Sequence, residues 1–235
     1  MVQSKDKFVL MSGIATASFV INIVKAVLRV RKVRVSPAVS LAHAKALEYG
    51  NAKYPMERIE CKTFTVPANH LSVNQENIFM GQLPTRIVVG CVDNDAFTGR
   101  YAKNPFNFKN YKLTEVSLQV DGQDQPVSPY KCDFGTAAYV RAYMSLFTDT
   151  GKAFKDEDID ITREDYANGY ALFCFDLSPD LGESNHFSLI KTGSVRLGLI
   201  FGEALPRTIN VIVYAEFQNV LEIDKNRNVY YDFTA

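Results

Sequence analysis

The chain has 235 residues, 47% of them hydrophobic and 12% aromatic, and its 26 basic and 26 acidic side chains cancel to a formal net charge of zero. It is long enough to bury a sizeable core without disulfides or a structural metal. Its composition excludes a disordered tail, and its balanced charge gives no long-range attraction for nucleic acid.

The first stretch of interest, "FVLMSGIATASFVINIV" (8–24), is near the lower length limit for a membrane span. It carries Ser12, Thr16, Ser18 and Asn22 and many β-branched residues, so it reads as core strand, with a transmembrane helix or a secretory signal as alternatives. From Val27 to Val35, "VLRVRKVRV" alternates apolar and basic residues and slips by one between Arg31 and Lys32. That pattern predicts a strand with a bulge, and four cations on one edge are a usual means of keeping a strand unpaired. The charge is uneven along the chain: residues 1–60 hold ten basic and four acidic side chains, and 176–235 hold five and eight. Such a gradient can bias how identical copies meet.

Pro37 near its start and Gly50 at its end predict a helix over 38–49, with Leu41, Ala44 and Leu47 as its apolar stripe. "MERIECKTFTVP" alternates as a half-buried strand, and "TRIVVGCVD" (85–93) and "YKLTEVSLQVDG" (111–122) are its expected partners. Asp121-Gly122 marks a turn. Between the latter two strands lies a loop with Phe97, Tyr101, Phe106, Phe108 and Tyr111. So aromatic a loop is expected either to tuck across a sheet end or to fill a boundary between subunits.

A second helix is predicted over 134–147. Thr162 followed by Asp165 resembles a capping signal for a single turn that ends at Asn168-Gly169. Strands follow at 170–177, 193–201 and 208–223, and "NVYYDF" is a final edge strand. Roughly eight strands with two helices that are not periodic crossovers point to an all-β fold: one domain over 1–235, an antiparallel jelly-roll sandwich with two inserted helices.

Chemistry is sought first at Asp93-Asn94-Asp95, which follows an apolar strand. A carboxylate pair at a strand end can hold a divalent cation, as in many nucleotide-sugar transferases. The simpler reading is a turn, because Asp and Asn accept local backbone hydrogen bonds. Residues 224–228 alternate oxygen-bearing side chains but carry Val229 where a calcium loop needs glycine. No phosphate-binding glycine loop and no nucleophile elbow is present. His43, His70 and His186 are too scattered, and Cys61, Cys91, Cys132 and Cys174 too widely spaced, to form a zinc site. The thiols read as structural, in a reducing compartment. No catalytic, metal-binding or cofactor residue is therefore assigned, and the chain reads as a non-enzyme.

Several long blocks carry a resemblance: "VRKVRVSPAVSLAHAKAL" (30–47), "GQLPTRIVVGCVDNDAFTG" (81–99), "NPFNFKNY" (104–111), "REDYANGYALFCFDLSPDL" (163–181) and "ALPRTINVIVYAEFQNVLEIDKNRNV" (204–229). Together they resemble the major capsid protein of adintoviruses and the related Maverick/Polinton elements. That resemblance implies a double jelly-roll fold, two eight-stranded sandwiches in one chain that assemble as a pseudo-hexagonal trimer, and the blocks correspond to the C-terminal roll. It implies no catalytic or metal residue and no cofactor. The aromatic residues of the 94–111 loop become the expected assembly interface, and copies of the same chain, with other capsid proteins, the expected partners. No specific nucleic acid and no membrane partner is expected. The location would be the virion if the protein is viral and intracellular otherwise. A length of 235 residues has room for one such roll, so a truncated or host-adopted remnant is one expectation. A glycan- or peptide-binding jelly-roll module is the alternative function, and a metal-dependent transferase using Asp93 and Asp95 a further one.

Overall fold

A computed structural model describes residues 11–13, 22–153, 155–156, 158–178 and 189–231. Most of the 8–24 stretch and His186 lie outside the described residues. No helix among the described residues is long and apolar enough to cross a membrane. Two compact units divide the chain, one including Ile59–Phe217 and the other formed by residues up to Arg58 from 22 and by those from Gln218 onward.

The strands form two sheets. One runs β1 (Ala52–Val66), β9 (Ile209–Ile223), β3 (Arg86–Asp93), β7 (Leu172–Asp176); the other runs β2 (Ser72–Gln82), β8 (Thr192–Phe201), β4 (Leu113–Val120), β5 (Gln123–Asp124), with β6 (Tyr130–Lys131) also on β4. β3 is antiparallel to β9 and to β7, and β8 is antiparallel to β2 and to β4. The period-two pattern of each strand puts one row of side chains inside. Ile87, Val89 and Cys91 of β3 and Val211, Val213, Ala215 and Phe217 of β9 share one core with Val195, Leu197, Leu199 and Phe201 of β8 and with Val116 and Leu118 of β4. The fold is a mostly β, two-sheet, jelly-roll-like sandwich with a few inserted helices, as the sequence predicts.

Three short helices serve this sandwich: α2 (Asn94–Thr98), α3 (Val140–Thr148) and α4 (Arg163–Ala167). α4 begins with the anticipated cap, Thr162 accepting from the Asp165 amide while Asp165 accepts from the Thr162 amide, so Asp fills the place usually held by Glu or Gln. α3 and α4 carry a cluster of rings over β7: Tyr166 stacks on Tyr139 at 5.7 Å and meets Phe173 edge-to-face at 6.3 Å, centroid to centroid. α3 also closes the free edge of β7. Ser145 Oγ accepts from the Cys174 amide at 3.3 Å, and the Tyr130 hydroxyl donates to the Cys174 carbonyl at 3.0 Å. Both backbone groups of that residue are thereby satisfied without a further strand.

The second unit contains α1 (Pro37–Tyr49), the first half of β1, the end of β9 and β10 (Val229–Tyr231) paired with β9. Ser36 caps α1 by accepting from the Val39 amide at 3.4 Å.

Several expectations need correction. Residues 27–35 form no strand and are exposed from end to end, because alternation supplies one face of a strand but not the ladder partner. Leu41, Ala44 and Leu47 do not form a buried stripe, and Leu41 is 71% exposed. The partner of β1 is β9, not β3 or β4. β2, unanticipated, is a polar strand whose register shifts between Gln75 and Phe79, and such a bulge erases simple alternation. The second helix starts at Val140, six residues later than predicted from 134. The described residues hold ten strands and four helices, against eight and two expected.

Candidate functional site

β3 delivers Asp93 to the end of its sheet with 2% of its surface exposed. The residue ends the strand and starts α2, but its carboxylate does not cap the helix. It accepts instead from Tyr111 Oη at 2.6 Å, Lys109 Nζ at 2.9 Å and Lys103 Nζ at 3.0 Å, and Arg207 lies 3.6 Å away. Lys103 also donates to Asp95 at 2.7 Å, and Arg100 donates to the other Asp95 oxygen at 3.1 Å. A buried carboxylate needs such partners to remain charged.

The electrostatics follow from that geometry. Burial alone would raise the Asp93 carboxyl, but the hydrogen bonds from Tyr111, Lys109 and Lys103 outweigh it and hold the group well below the usual carboxylate range. Burial and then the Asp93 carboxylate push the Tyr111 phenol up, which keeps it a donor. Burial also raises Asp95, yet Lys103 and Arg100 bring it below its ordinary value.

The neighbouring Asn94 completes the junction. Its side-chain oxygen accepts from Asn210 Nδ2 at 3.1 Å, and Asn210 Oδ1 accepts from the Thr65 hydroxyl at 2.7 Å. β1, β9 and α2 are joined by one polar chain. The aromatic loop is fastened beside it: the Phe108 amide donates to the Gly169 carbonyl at 2.7 Å, and the Lys109 amide to the Cys91 carbonyl at 3.1 Å. Gly90 makes room for the Phe108 ring, since a Cβ there would sit 2.7 Å from Phe108 Cδ1 and 2.8 Å from Leu172 Cδ2.

The structure therefore brings Asp93, Asp95 and Tyr111 together, but around a lysine. Lys103 Nζ occupies the point between the carboxylates that a divalent cation would need. Among the described residues no group of three or more His, Cys, Asp or Glu side chains is arranged to hold a metal ion. The sheets are antiparallel, without the parallel sheet and helical crossovers of a nucleotide-sugar transferase. Two shallow clefts of about 290 and 390 Å³ flank Asp93, sharing Asn107 and Lys109 in their walls.

Cys61 is an exposed free thiol. Cys91, Cys132 and Cys174 are buried free thiols, which burial pushes up to about 12, 11 and 12. Asp224 accepts from the Asn226 and Asn228 amides at 2.8 Å each, so 224–228 is a turn. Of the five expected interface aromatics, Phe106 is exposed, at 59%, while Phe97, Tyr101, Phe108 and Tyr111 are half-buried. They do not form one bare patch. The sequence pattern does not single out Lys103, Lys109 or Arg207. The two lysines lie in the loop after the carboxylates, a signal that could have found them, but Arg207 is remote in the chain and carries none.

No family model matches the chain. An uncharacterized protein of Caenorhabditis elegans is 31% identical over 189 residues, which are 79% of this chain and 45% of that protein. The chain thus spans less than half the length of that curated relative. Among solved structures, the chain is similar to one in the Sputnik virophage cryo-EM structure (12% identity, TM-score 0.49, 79% of this chain and 39% of that one). It is similar also to one in the PBCV-1 virus capsid (11%, 0.44, 79% and 52%) and to the mavirus major capsid protein (10%, 0.40, 78% and 42%).

Proposed function

We propose that this chain is a structural, capsid-type subunit that assembles with copies of itself, and that it is akin to the C-terminal roll of the adintovirus and Maverick/Polinton capsid proteins. The observation that carries the reading is the use made of Asp93-Asn94-Asp95. The residues best suited to chemistry are bonded to Lys103, Lys109, Tyr111 and Asn210, where they hold a loop to a sheet end. Such an arrangement supports a rigid building part rather than a site of turnover.

The exposed surface supports assembly as well. Phe106 stands out from the aromatic loop, and the half-buried Phe97, Tyr101, Phe108 and Tyr111 fix its shape, so the loop serves as one contact surface between subunits. An exposed aromatic side chain can anchor such a contact, and specific association needs roughly 1,600 Å² of buried surface. The same reading places a viral version of the chain in the virion and allows a truncated or host-adopted remnant.

The test is size-exclusion chromatography with light scattering on the purified, folded chain. Discrete higher-order species are expected, reduced by Phe106→Ala. A monomer at every concentration overturns the proposal.

A further inference from the structure

Residues 22–36 are described along their whole length and are exposed at every position. Val24, Leu28 and Val33 are 90, 89 and 78% exposed. Lys25, Arg29, Arg31, Lys32 and Arg34 are interleaved with these apolar residues, and no acidic residue interrupts them. Among the described residues the segment joins no sheet. A run that is both so apolar and so bare is the kind of surface that a partner covers.

The matching chemistry occurs elsewhere in the chain. Asp156, Asp158 and Asp160 are exposed and form no ion pair among the described residues. The segment that bears them continues along α3: the Tyr143 hydroxyl donates to the Ile161 carbonyl at 2.9 Å and the Tyr139 hydroxyl to the Arg163 carbonyl at 3.2 Å. On α3 itself Val140 and Met144, one turn apart, are 48% and 44% exposed. Asp158 acts electrostatically on Tyr143 of α3, so acidic charge lies beside the helix that carries Val140 and Met144, as cations alternate with the valines of segment 22–36. The whole chain has no net charge, so no overall charge repulsion opposes the meeting of two copies.

We propose, building on the assembly reading above, that segment 22–36 of one copy docks on the surface made by Asp156, Asp158, Asp160 and α3 of a second copy. The contact joins two different surfaces, so it is heterologous and can propagate from copy to copy. Burial of the valines against Val140 and Met144 supplies affinity, and the charges set register and orientation. Nucleic acid would satisfy the cations but would leave the valines in water, which is why a second copy is the better occupant.

Charge exchange on the full chain tests this. One variant carries Arg29→Glu, Arg31→Glu, Lys32→Glu and Arg34→Glu; the other carries Asp156→Lys, Asp158→Lys and Asp160→Lys. Self-association of the unmodified chain should weaken at least roughly tenfold between about 50 and 500 mM salt. Each variant alone should associate about tenfold more weakly or worse, and an equimolar mixture of the two should regain the unmodified behaviour. Both variants alter exposed side chains, so unchanged melting curves are expected and verify folding. An unmodified chain that associates but is insensitive to salt and to both charge reversals overturns this contact and leaves the assembly reading standing; an unmodified chain that never associates overturns both. Loss of duplex DNA binding in the first variant, with self-association intact, assigns the segment to nucleic acid and also overturns the contact.

Discussion

The Tyr111 hydroxyl donates to Asp93 Oδ1 at 2.6 Å, which ties the last residue of the aromatic loop to the last residue of β3. The bond lies at the rim of the core, where water competes poorly. A hydrogen bond to a charged, buried acceptor contributes about 1.5–3 kcal/mol. Tyr111→Phe should therefore lower unfolding free energy in urea by about 2 kcal/mol. Asp93→Asn should cost about as much or more, because Lys109 and Lys103 lose the buried negative charge they share and Lys103 keeps only Asp95. The double variant should cost less than the sum, as expected for residues in direct contact.

The pH dependence follows from the depressed Asp93 carboxyl. Its folded value lies well below the unfolded value of about 3.9, so its stabilisation is complete above about pH 4. The contribution declines as pH falls below that value and is gone once pH has passed the folded one. Asp149 is shifted the opposite way, raised chiefly by burial, and gains stability as it protonates. The diagnostic quantity is thus the difference between unmodified chain and Asp93→Asn: a constant gap in melting temperature from pH 7 to about 5, closing progressively below about 4.

Tyr166 is fully buried, yet its hydroxyl has no hydrogen-bond partner among the described residues. An unmet buried hydroxyl costs about 1–3 kcal/mol. Tyr166→Phe keeps the ring packing against Tyr139 and Phe173 and removes that cost, so thermal unfolding should show no loss of stability and a gain of up to about 1 kcal/mol. A marked loss would show that the hydroxyl is satisfied.

At Gly90 a methyl group would press on the Phe108 ring and on Leu172. Gly90→Ala should destabilise by about 1–3 kcal/mol, as overpacking does. Combined with Phe108→Leu, part of that cost should disappear, since the smaller side chain yields the space. Additive losses in denaturant melts would place the Phe108 ring elsewhere.

How far the sequence could be read follows from what each residue pattern encodes. Strands β3, β4, β8 and β9 were legible because one side of each is buried in the core, so alternation or an apolar run survives in "TRIVVGCVD" and "TINVIVYAEFQNVLEI". β2 was not, because Asn74, Gln75, Glu76 and Asn77 hide its pattern and the register shift breaks it. At 27–35 the pattern was clear and no strand formed, since a ladder requires a partner that the pattern does not name. The site was half legible. Asp93 and Asp95 could be found as carboxylates at a strand end, but that Lys103 sits between them and that Arg207 approaches from the bend before β9 are tertiary facts. Phe106 could be named as aromatic and exposed, whereas the packing of Phe108 across β3 depended on the space left by Gly90.

The most direct test of the central claim is negative-stain microscopy of the purified chain, with light scattering on the same sample. The account predicts discrete, regular assemblies of many copies. Lone particles of a single folded chain, at concentrations up to roughly 100 µM where even weak specific contacts form, would contradict it.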